Sequence, residues 1–319
     1  MRENHLAPPR SMIQVIILNL NAPDETGECL RGLSRSDLGD WKAMVIDNGS
    51  TDDSAQRLRA ENPGLEIVEA GENLGYAAGC NLGIKLSTGK KPSHFFFLNN
   101  DARLEPAALR YLLEASRAHL RAGIVGPVIL TSLPGEVIES FGMKCGFGSG
   151  RFYHRQFRKR MEQLDPRVRS QPVIEADALS GCALLVRRET IEEIGGFDED
   201  YFFYFEDADL CRRAQKAGWQ TILVPRAVVR HKGSTTIMGI DPALRVYYGV
   251  RNQLLLFNRN EPLENPVSRW LRNFNVIFLT LAYLFKSSQP SWLRAFAGWW
   301  RGVRDYFGKR LGKAGGWKV

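Results

Sequence analysis

The feature that most limits what this chain can fold into is a series of short apolar runs, each ending abruptly in polar residues or Gly. "QVIILNL" (14–20) reads as a first buried strand, "WKAMVID" (41–47) as a second ending at Asp47, "LEIVEA" (65–70) as a third and "HFFFLNNDA" (94–102) as a fourth. Helical stretches separate them. One lies near Asp24 to Leu33, and one opens near Thr51 to Ser54, where hydroxyl and carboxylate side chains can cap free amides. A third, "GENLGYAAGCNLGIKL" (71–86), is a Gly-rich turn into a small-residue helix. Strands alternating with helices imply an α/β fold with a mostly parallel central sheet flanked by helices. Such a sheet gathers the polar carboxyl ends of its strands along one edge, where open α/β sheets bind ligands.

Composition narrows the class. With 319 residues, 44% of them apolar, the chain can bury a sizeable core as one large domain, or as one domain and an appendage. Its five cysteines, Cys29, Cys80, Cys145, Cys182 and Cys211, form no CxxC pair, and the polar opening "MRENHLAPPR" has no apolar leader. Free thiols, a reducing cytosol and a flexible tail over residues 1–11 are the expectation. The formal charge is +8, but residues 260–319 hold ten Lys or Arg against three acids and account for +7 of it. Residues 1–259 are therefore nearly neutral. The basic stretch "RFYHRQFRKRMEQLDPRVRS" (151–170) reads as a surface segment or mobile loop. No motif for base or backbone recognition accompanies it, so no nucleic-acid partner is expected. No GxGxxG follows the first strand, which argues against a dinucleotide oxidoreductase.

The tail differs in kind. "FNVIFLTLAYLF" (274–285) is an apolar run of only twelve residues. As a helix it measures about 18 Å, against roughly 30 Å of bilayer hydrocarbon, too short to span. Over 292–307, Trp292, Leu293, Phe296, Trp299, Trp300, Val303, Tyr306 and Phe307 fall within an arc of about 140°, with Arg294, Arg301, Arg304 and Asp305 opposite. Five of the seven tryptophans lie beyond residue 260, so aromatic enrichment and charge excess coincide there. Both favour a basic, Trp-rich amphipathic helical extension over 260–319 that associates with an anionic membrane surface. The alternative is a helix packed on the protein's own core.

Three places carry candidate chemistry. Asn99, Asn100 and Asp101 follow a strand of three phenylalanines, so Asp101 projects from the sheet's carboxyl edge. One carboxylate plus phosphate oxygens is a common way to hold Mg²⁺ or Mn²⁺, although the same tripeptide also makes good turns. Asp47, followed by Asn48, Gly49 and Ser50, either offers an acceptor to a ligand N–H or closes an Asx turn. In "FFYFEDADLC" (202–211), Glu206, Asp207 and Asp209 crowd behind an aromatic run, and their repulsion must be relieved by a metal, basic neighbours, solvent or a helix terminus. "DADLCRRAQKAGW" has helical spacing, with Leu210, Ala214 and Ala217 as a buried stripe and Gly218 as terminator. The acids thus open a helix, whose amides favour ionised carboxylates, and Asp209 can pair with Arg212 or Arg213 one turn on.

In order over residues 15–236, "LNLN", "VIDNGSTDDS", "NLGYAAGCNLGI", "FLNNDA", "SGCALLVRRE", "GGFDEDYFFYFEDADLCRRAQKAGW" and "HKGSTT" resemble the family 2 glycosyltransferases with the GT-A fold. The likeness is strongest to the bacterial rhamnosyltransferase-like branch that acts on cell-envelope glycans. It implies a GT-A domain over 12–259 with a Rossmann-like nucleotide-binding half. It also implies an inverting, metal-assisted transfer of a sugar from a nucleotide-diphosphate donor, dTDP-rhamnose or a UDP-sugar, to a hydroxyl of a cell-envelope glycan or lipid-linked acceptor. The enzyme would then be cytoplasmic, peripheral on the inner face of the cytoplasmic membrane. By resemblance, Asp47 reads the nucleobase with Asn48 beside it, Asn19 and Asn21 frame the base, and Asn73 and Gly75 line the nucleotide pocket. Asn99 and Asn100 lead to Asp101, which matches the last acid of a DxD-type motif and would bind Mg²⁺ or Mn²⁺ at the diphosphate. Asn99 stands where a strict DxD has its first Asp. His231 matches a further metal ligand, and Lys232, Gly233 and Ser234 could add donors to the phosphates. Asp207 matches the catalytic base, with Glu206 as the alternative. The competing implication is a non-catalytic nucleotide-sugar or nucleic-acid binder at the membrane. Such a binder could lose the acidic pair, which this chain keeps.

Overall fold

A computed structural model describes residues 12–132, 136–233, 241–286 and 292–316. The expected flexible tail and Ser234 lie outside them. The strands are β1 (Ile13–Asn19), β2 (Trp41–Asp47), β3 (Glu66–Glu69), β4 (His94–Asn99), β5 (Ala102–Leu104), β6 (Ala122–Thr131), β7 (Ile138–Ser140), β8 (Met143–Gly146), β9 (Arg151–His154), β10 (Ile174–Glu175), β11 (Ala183–Arg187) and β12 (Gln220–His231). The helices are α1 (Pro23–Ser34), α2 (Ser54–Glu61), α3 (Gly75–Ser87), α4 (Ala108–Ala118), α5 (Pro166–Arg169), α6 (Arg188–Ile194), α7 (Glu206–Lys216), α8 (Pro242–Asn260), α9 (Pro266–Lys286) and α10 (Trp292–Phe307).

The main sheet runs β10-β12-β6-β11-β4-β1-β2-β3, with β5 paired to β12 and β7 to β6. The expected parallel character holds within β3-β2-β1-β4 and between β12 and β6. Between these halves β11 runs antiparallel to both β4 and β6, so the whole sheet is mixed. Its strands are apolar on both faces because both are covered. Ile13, Val15 and Ile17 of β1 and Phe96 and Leu98 of β4 pack with α1 and α4 residues on one side. Ile16, Phe95 and Phe97 meet residues of α3 and α7 on the other. That two-sided burial is what makes the strands continuous apolar runs.

The segment after residue 260 is not a detached appendage. Val250, Leu254 and Phe257 of α8, Val276 of α9 and Trp299 and Val303 of α10 form a core of their own. Helix α10 lies so close on α8 that a Cβ at Gly298 would sit 2.1 Å from the Ala243 carbonyl oxygen, and one at Gly302 would sit 2.6 Å from that of Tyr247. Backbone cannot yield as a side chain can, so Gly298→Ala is expected to destabilise the protein by about 2 kcal/mol, read as a lower melting temperature.

The apolar arc of α10 is therefore divided. Trp299 and Val303 turn inward, while Trp292, Leu293, Phe296, Trp300 and Phe307 stay exposed. Helix α9 likewise exposes Val267, Trp270, Leu271, Phe274 and Phe278, with the Trp270, Phe274 and Phe278 rings stacked at 5.5 and 6.2 Å. Among the described residues no helix is long and apolar enough to cross a membrane.

The basic stretch 151–170 is a surface segment, the first of the two alternatives, mostly exposed and anchored at its start, where β8 and β9 form a hairpin whose Phe152 ring lies 5.2 Å from both Phe205 and Phe257. One local expectation needs correction. In α7, Leu210 and Ala214 are buried as expected, but Ala217 is exposed because the helix ends there, and Ala208 and Cys211 complete the stripe.

Candidate active site

The carboxyl ends of β1 and β4 open into a cleft of about 640 Å³. Of the residues anticipated from sequence, Asn19, Asn21, Asn48, Asn73, Gly75, Asn99, Asn100, Asp101, Glu206, Asp207 and His231 line it. Asp47 does not. It pairs in register with Asn19, and its buried Oδ1 accepts hydrogen bonds from Asn19 Nδ2 (2.7 Å) and Ser50 Oγ (2.5 Å), one layer behind the wall. Lys232 is also displaced: its Nζ pairs with Glu25 at 3.1 Å, and only its main-chain N–H reaches Asp101, donating to the carbonyl.

On the nucleotide side, Asn48 organises the turn before α3. Its Oδ1 accepts from the Leu74 amide at 3.1 Å and its Nδ2 donates to the Gly75 carbonyl at 3.2 Å. Gly75 has φ +81°, and a Cβ there would meet the Phe202 carbonyl and ring at 2.5 Å. Only glycine lets this turn sit against the aromatic loop, where the Tyr76 amide donates to the Phe202 carbonyl at 2.8 Å.

A second group forms where β5 pairs with β12 and sets His231 opposite Ala102, next to Asp101. His231 Nε2 lies 3.1 Å from Asp101 Oδ1, and its Nδ1 lies 2.8 Å from Glu139 Oε1. Burial disfavours the charged imidazole, but the two carboxylates together outweigh it and push its pKa up to about 10. Glu139, on β7, had no motif to mark it, because the short edge strand that carries it pairs only locally with β6. Asp101 Oδ2 is buried and has no hydrogen-bond partner. An orphaned anionic oxygen in a residue lining a cleft suits a hard divalent cation. Among the described residues no three His, Cys, Asp or Glu side chains converge as a ready-made cage, so ligand oxygens must complete any coordination. Ligation through His231 Nε2 also requires the neutral imidazole.

At the opposite chemistry-bearing corner, the three clustered acids have separated. Asp209 is fully buried and structural: it accepts from Tyr201 Oη at 3.1 Å, Asn260 Nδ2 at 2.7 Å and Arg213 Nε at 2.6 Å. Asp207 accepts from two main-chain amides, Gly181 to Oδ2 and Ala208 to Oδ1, each at 2.7 Å. Burial raises its pKa and these amides pull it back. Glu206 Oε2 has no partner, and burial, reinforced by the Asp207 charge, pushes this carboxyl up to about 8. Glu206 therefore keeps its proton to higher pH than an ordinary carboxyl, whereas the two amides favour the charged form of Asp207 against the burial that raises its pKa. The asymmetry arises from amide donors that face one acid and not its neighbour.

A stability consequence follows from the sign of the Glu206 shift. A carboxyl whose folded pKa is raised keeps its proton in the native state while the unfolded chain releases it, so stability falls as pH rises from about 4.5 to about 8. Glu206→Gln removes that dependence. Its melting temperature relative to wild type is expected to be higher at pH 8 than at pH 5.

The remaining wall is aromatic: Phe202, Phe203 and Tyr204 belong to the run before the acids, where an apolar wall was expected, and Tyr76, Tyr248 and Leu244 come from positions with no separate sequence signal. Tyr76 Oη donates to the Gly181 carbonyl at 2.8 Å, tying the nucleotide side to the peptide that holds Asp207.

A nucleotide-sized cleft at the carboxyl edge of an α/β sheet, with an acid and a histidine on one side and an aspartate held by main-chain amides on the other, is the arrangement of a GT-A sugar transferase, and residues 14–194 match the family model "Glycosyl transferase family 2". The chain belongs to that family and is a glycosyltransferase. It is similar to the N-acetylglucosaminyl-diphospho-decaprenol L-rhamnosyltransferase of Mycobacterium tuberculosis, 36% identical over 221 residues that cover 63% of this chain and 69% of the relative. It is also similar to the dTDP-rhamnosyl transferase RfbF of Shigella flexneri, 23% identical over 79% of this chain and 82% of that one. Its fold matches the mannosyltransferase PcManGT of Pyrobaculum calidifontis in complex with GDP-Man and Mn²⁺ (TM-score 0.60, 14% identity, 94% of this chain and 88% of the other). S. aureus TarS in complex with UDP-GlcNAc has the same fold (TM-score 0.56, 14% identity, 92% and 81%).

Proposed function

We propose that this enzyme moves rhamnose, from a deoxythymidine diphosphate donor, to a hydroxyl of a lipid-linked envelope glycan with inversion at the anomeric carbon. The observation that carries the reaction type is the division within the acid pair. Asp207, fixed by the Gly181 and Ala208 amides whose donation favours its charged form, can accept the acceptor's hydroxyl proton as that oxygen bonds to the anomeric carbon and the diphosphate leaves from the opposite face. Protonated Glu206 offers its O–H to a sugar oxygen. Asp101, with His231 in its neutral form, would hold Mg²⁺ or Mn²⁺ at the diphosphate, and the ion would supply positive charge to the leaving group. Asn19, Asn21, Asn48 and Asn73 supply uncharged donors and acceptors for the nucleoside, and Asp47 contributes by fixing Asn19 and Ser50.

The choice of donor and acceptor rests on the two rhamnosyl relatives, one of which acts on a decaprenol-linked diphosphosugar. It is tested by calorimetry with UDP, dTDP and GDP, each with and without Mn²⁺. Metal-enhanced binding of dTDP above the others supports it; a preference for GDP, or no binding by the folded protein, refutes it.

Such an acceptor lies in a membrane, and the exposed faces of α9 and α10 have the chemistry to meet one. Among the described residues they present twelve large apolar side chains, in the part of the chain that holds +7 of the net charge. We assign them to an anionic lipid surface on the cytoplasmic side. Full-length protein should float with vesicles containing phosphatidylglycerol, and Trp270→Ser with Trp300→Ser should weaken this several-fold. Equal flotation of the double variant removes the assignment.

A further inference from the structure

We propose that Arg251 and Asn252, adjacent on α8, are positioning residues that hold the aromatic loop 201–205 in a strained shape and thereby aim Glu206 and Asp207 into the cleft. The proposal deepens the reading of Asp207 as the base and depends on it for its catalytic consequence.

The loop has an unusual backbone. Phe202, Tyr204 and Phe205 have φ of +58°, +69° and +71°, in the left-handed region that bulky side chains avoid. Such conformations are strained and persist only where surroundings enforce them. Phe205 immediately precedes α7, so the conformation of this loop sets where the first two helical side chains, the acid pair, begin.

The enforcement comes from α8. Asn252 Nδ2 lies 2.7 Å from the Tyr201 carbonyl, 2.7 Å from that of Phe203 and 3.0 Å from that of Tyr204. Arg251 orients this amide, its Nε donating to Asn252 Oδ1 at 2.8 Å. Its Nη2 donates to the carbonyls of Asp200 (3.1 Å) and Tyr201 (3.2 Å), and its Nη1 to that of Gly312 (2.7 Å). Both side chains are fully buried, and the guanidinium sits 5.2 and 4.8 Å from the ring centres of Tyr247 and Tyr248. A buried guanidinium is tolerable only when its N–H groups are satisfied, so the carbonyls are held as firmly as they hold it. Neither residue lines the cleft, and both act through the loop. The grip also explains why α8, packed against α10 at Gly298, belongs to the catalytic body.

The test uses the full chain with Asn252→Asp, which keeps the shape and removes both donors, and Arg251→Lys, which keeps the charge and loses the fork. Sugar transfer is expected to fall about 100-fold in kcat, the scale of a small misplacement of a catalytic group, with nucleotide-diphosphate affinity within about twofold. Amide exchange across 201–209 is expected to quicken about tenfold while β1 and β4 keep their protection. Unchanged exchange in that segment, or faster exchange everywhere, overturns the clamp. So does loss of nucleotide binding in step with kcat, which would indicate general damage. Exchange is read without turnover, so if wild type transfers no rhamnose the functional reading fails while the clamp is still decided.

Discussion

Asp207→Asn is expected to lower the rate of sugar transfer about 1,000-fold and to leave nucleotide-diphosphate affinity within about twofold. The substitution is nearly isosteric, and the carboxamide oxygen can still accept one of the two amides, from Gly181 or Ala208, that hold the side chain. What it loses is the second anionic oxygen, and with it the capacity to take a proton. Glu206 is a poor substitute, because its own burial, which the substitution leaves in place, favours its protonated form. Single-turnover transfer from dTDP-rhamnose, with calorimetry on the same samples, separates chemistry from binding. A variant that keeps more than about a tenth of wild-type rate would remove Asp207 from the role of base, since general-base contributions below tenfold are outside the usual range.

The second large effect is expected at Asp101. Asp101→Ala should abolish the gain in nucleotide-diphosphate affinity that Mn²⁺ or Mg²⁺ confers on wild type, a loss of about 10- to 100-fold. His231 keeps Glu139 but loses the carboxylate on its Nε2 side, so no pair of protein ligands remains for an ion. The substitution costs His231 Nε2 its carboxylate partner but removes the unpaired Asp101 Oδ2, and Glu139 still holds Nδ1, so the fold should survive. Calorimetry with and without metal decides the matter: metal-enhanced binding that persists in the variant would exclude Asp101 as the ligand.

Much of the cleft was legible because it depends on strand ends. A parallel sheet with its apolar runs in register must bring Asn19, Asp47 and Asn99 to the same edge, and the observed pairings of Asn19 with Asp47 and of Leu18 with Asn99 do so. The start of α7 was equally legible, since three acids before a helical stripe mark an N-terminus. The partition among those acids was not. It depends on Arg213 and Tyr201 nearby and on Gly181 and Asn260, 26 and 51 positions away, which are brought close only by the chain before β11 and by α8. Asp47 went behind the wall for the same kind of reason, a lateral pairing with Asn19 and Ser50 that strand periodicity does not record.

By itself, then, the order of apolar runs and polar ends in this chain determined its α/β class and the sheet edge at which the cleft opens, because those follow from local periodicity and strand geometry, while the resemblance of its motifs marked eleven of the residues that line the cleft. Only the tertiary structure decided which acid the main-chain amides hold, that Glu139 stands behind His231, that the tail's aromatic arc is divided between core and surface, and that Arg251 and Asn252 grip the loop carrying the acid pair. Each of these depends on contacts between residues tens of positions apart, and the energies involved, desolvation and directional hydrogen bonds, exist only once those residues are brought together.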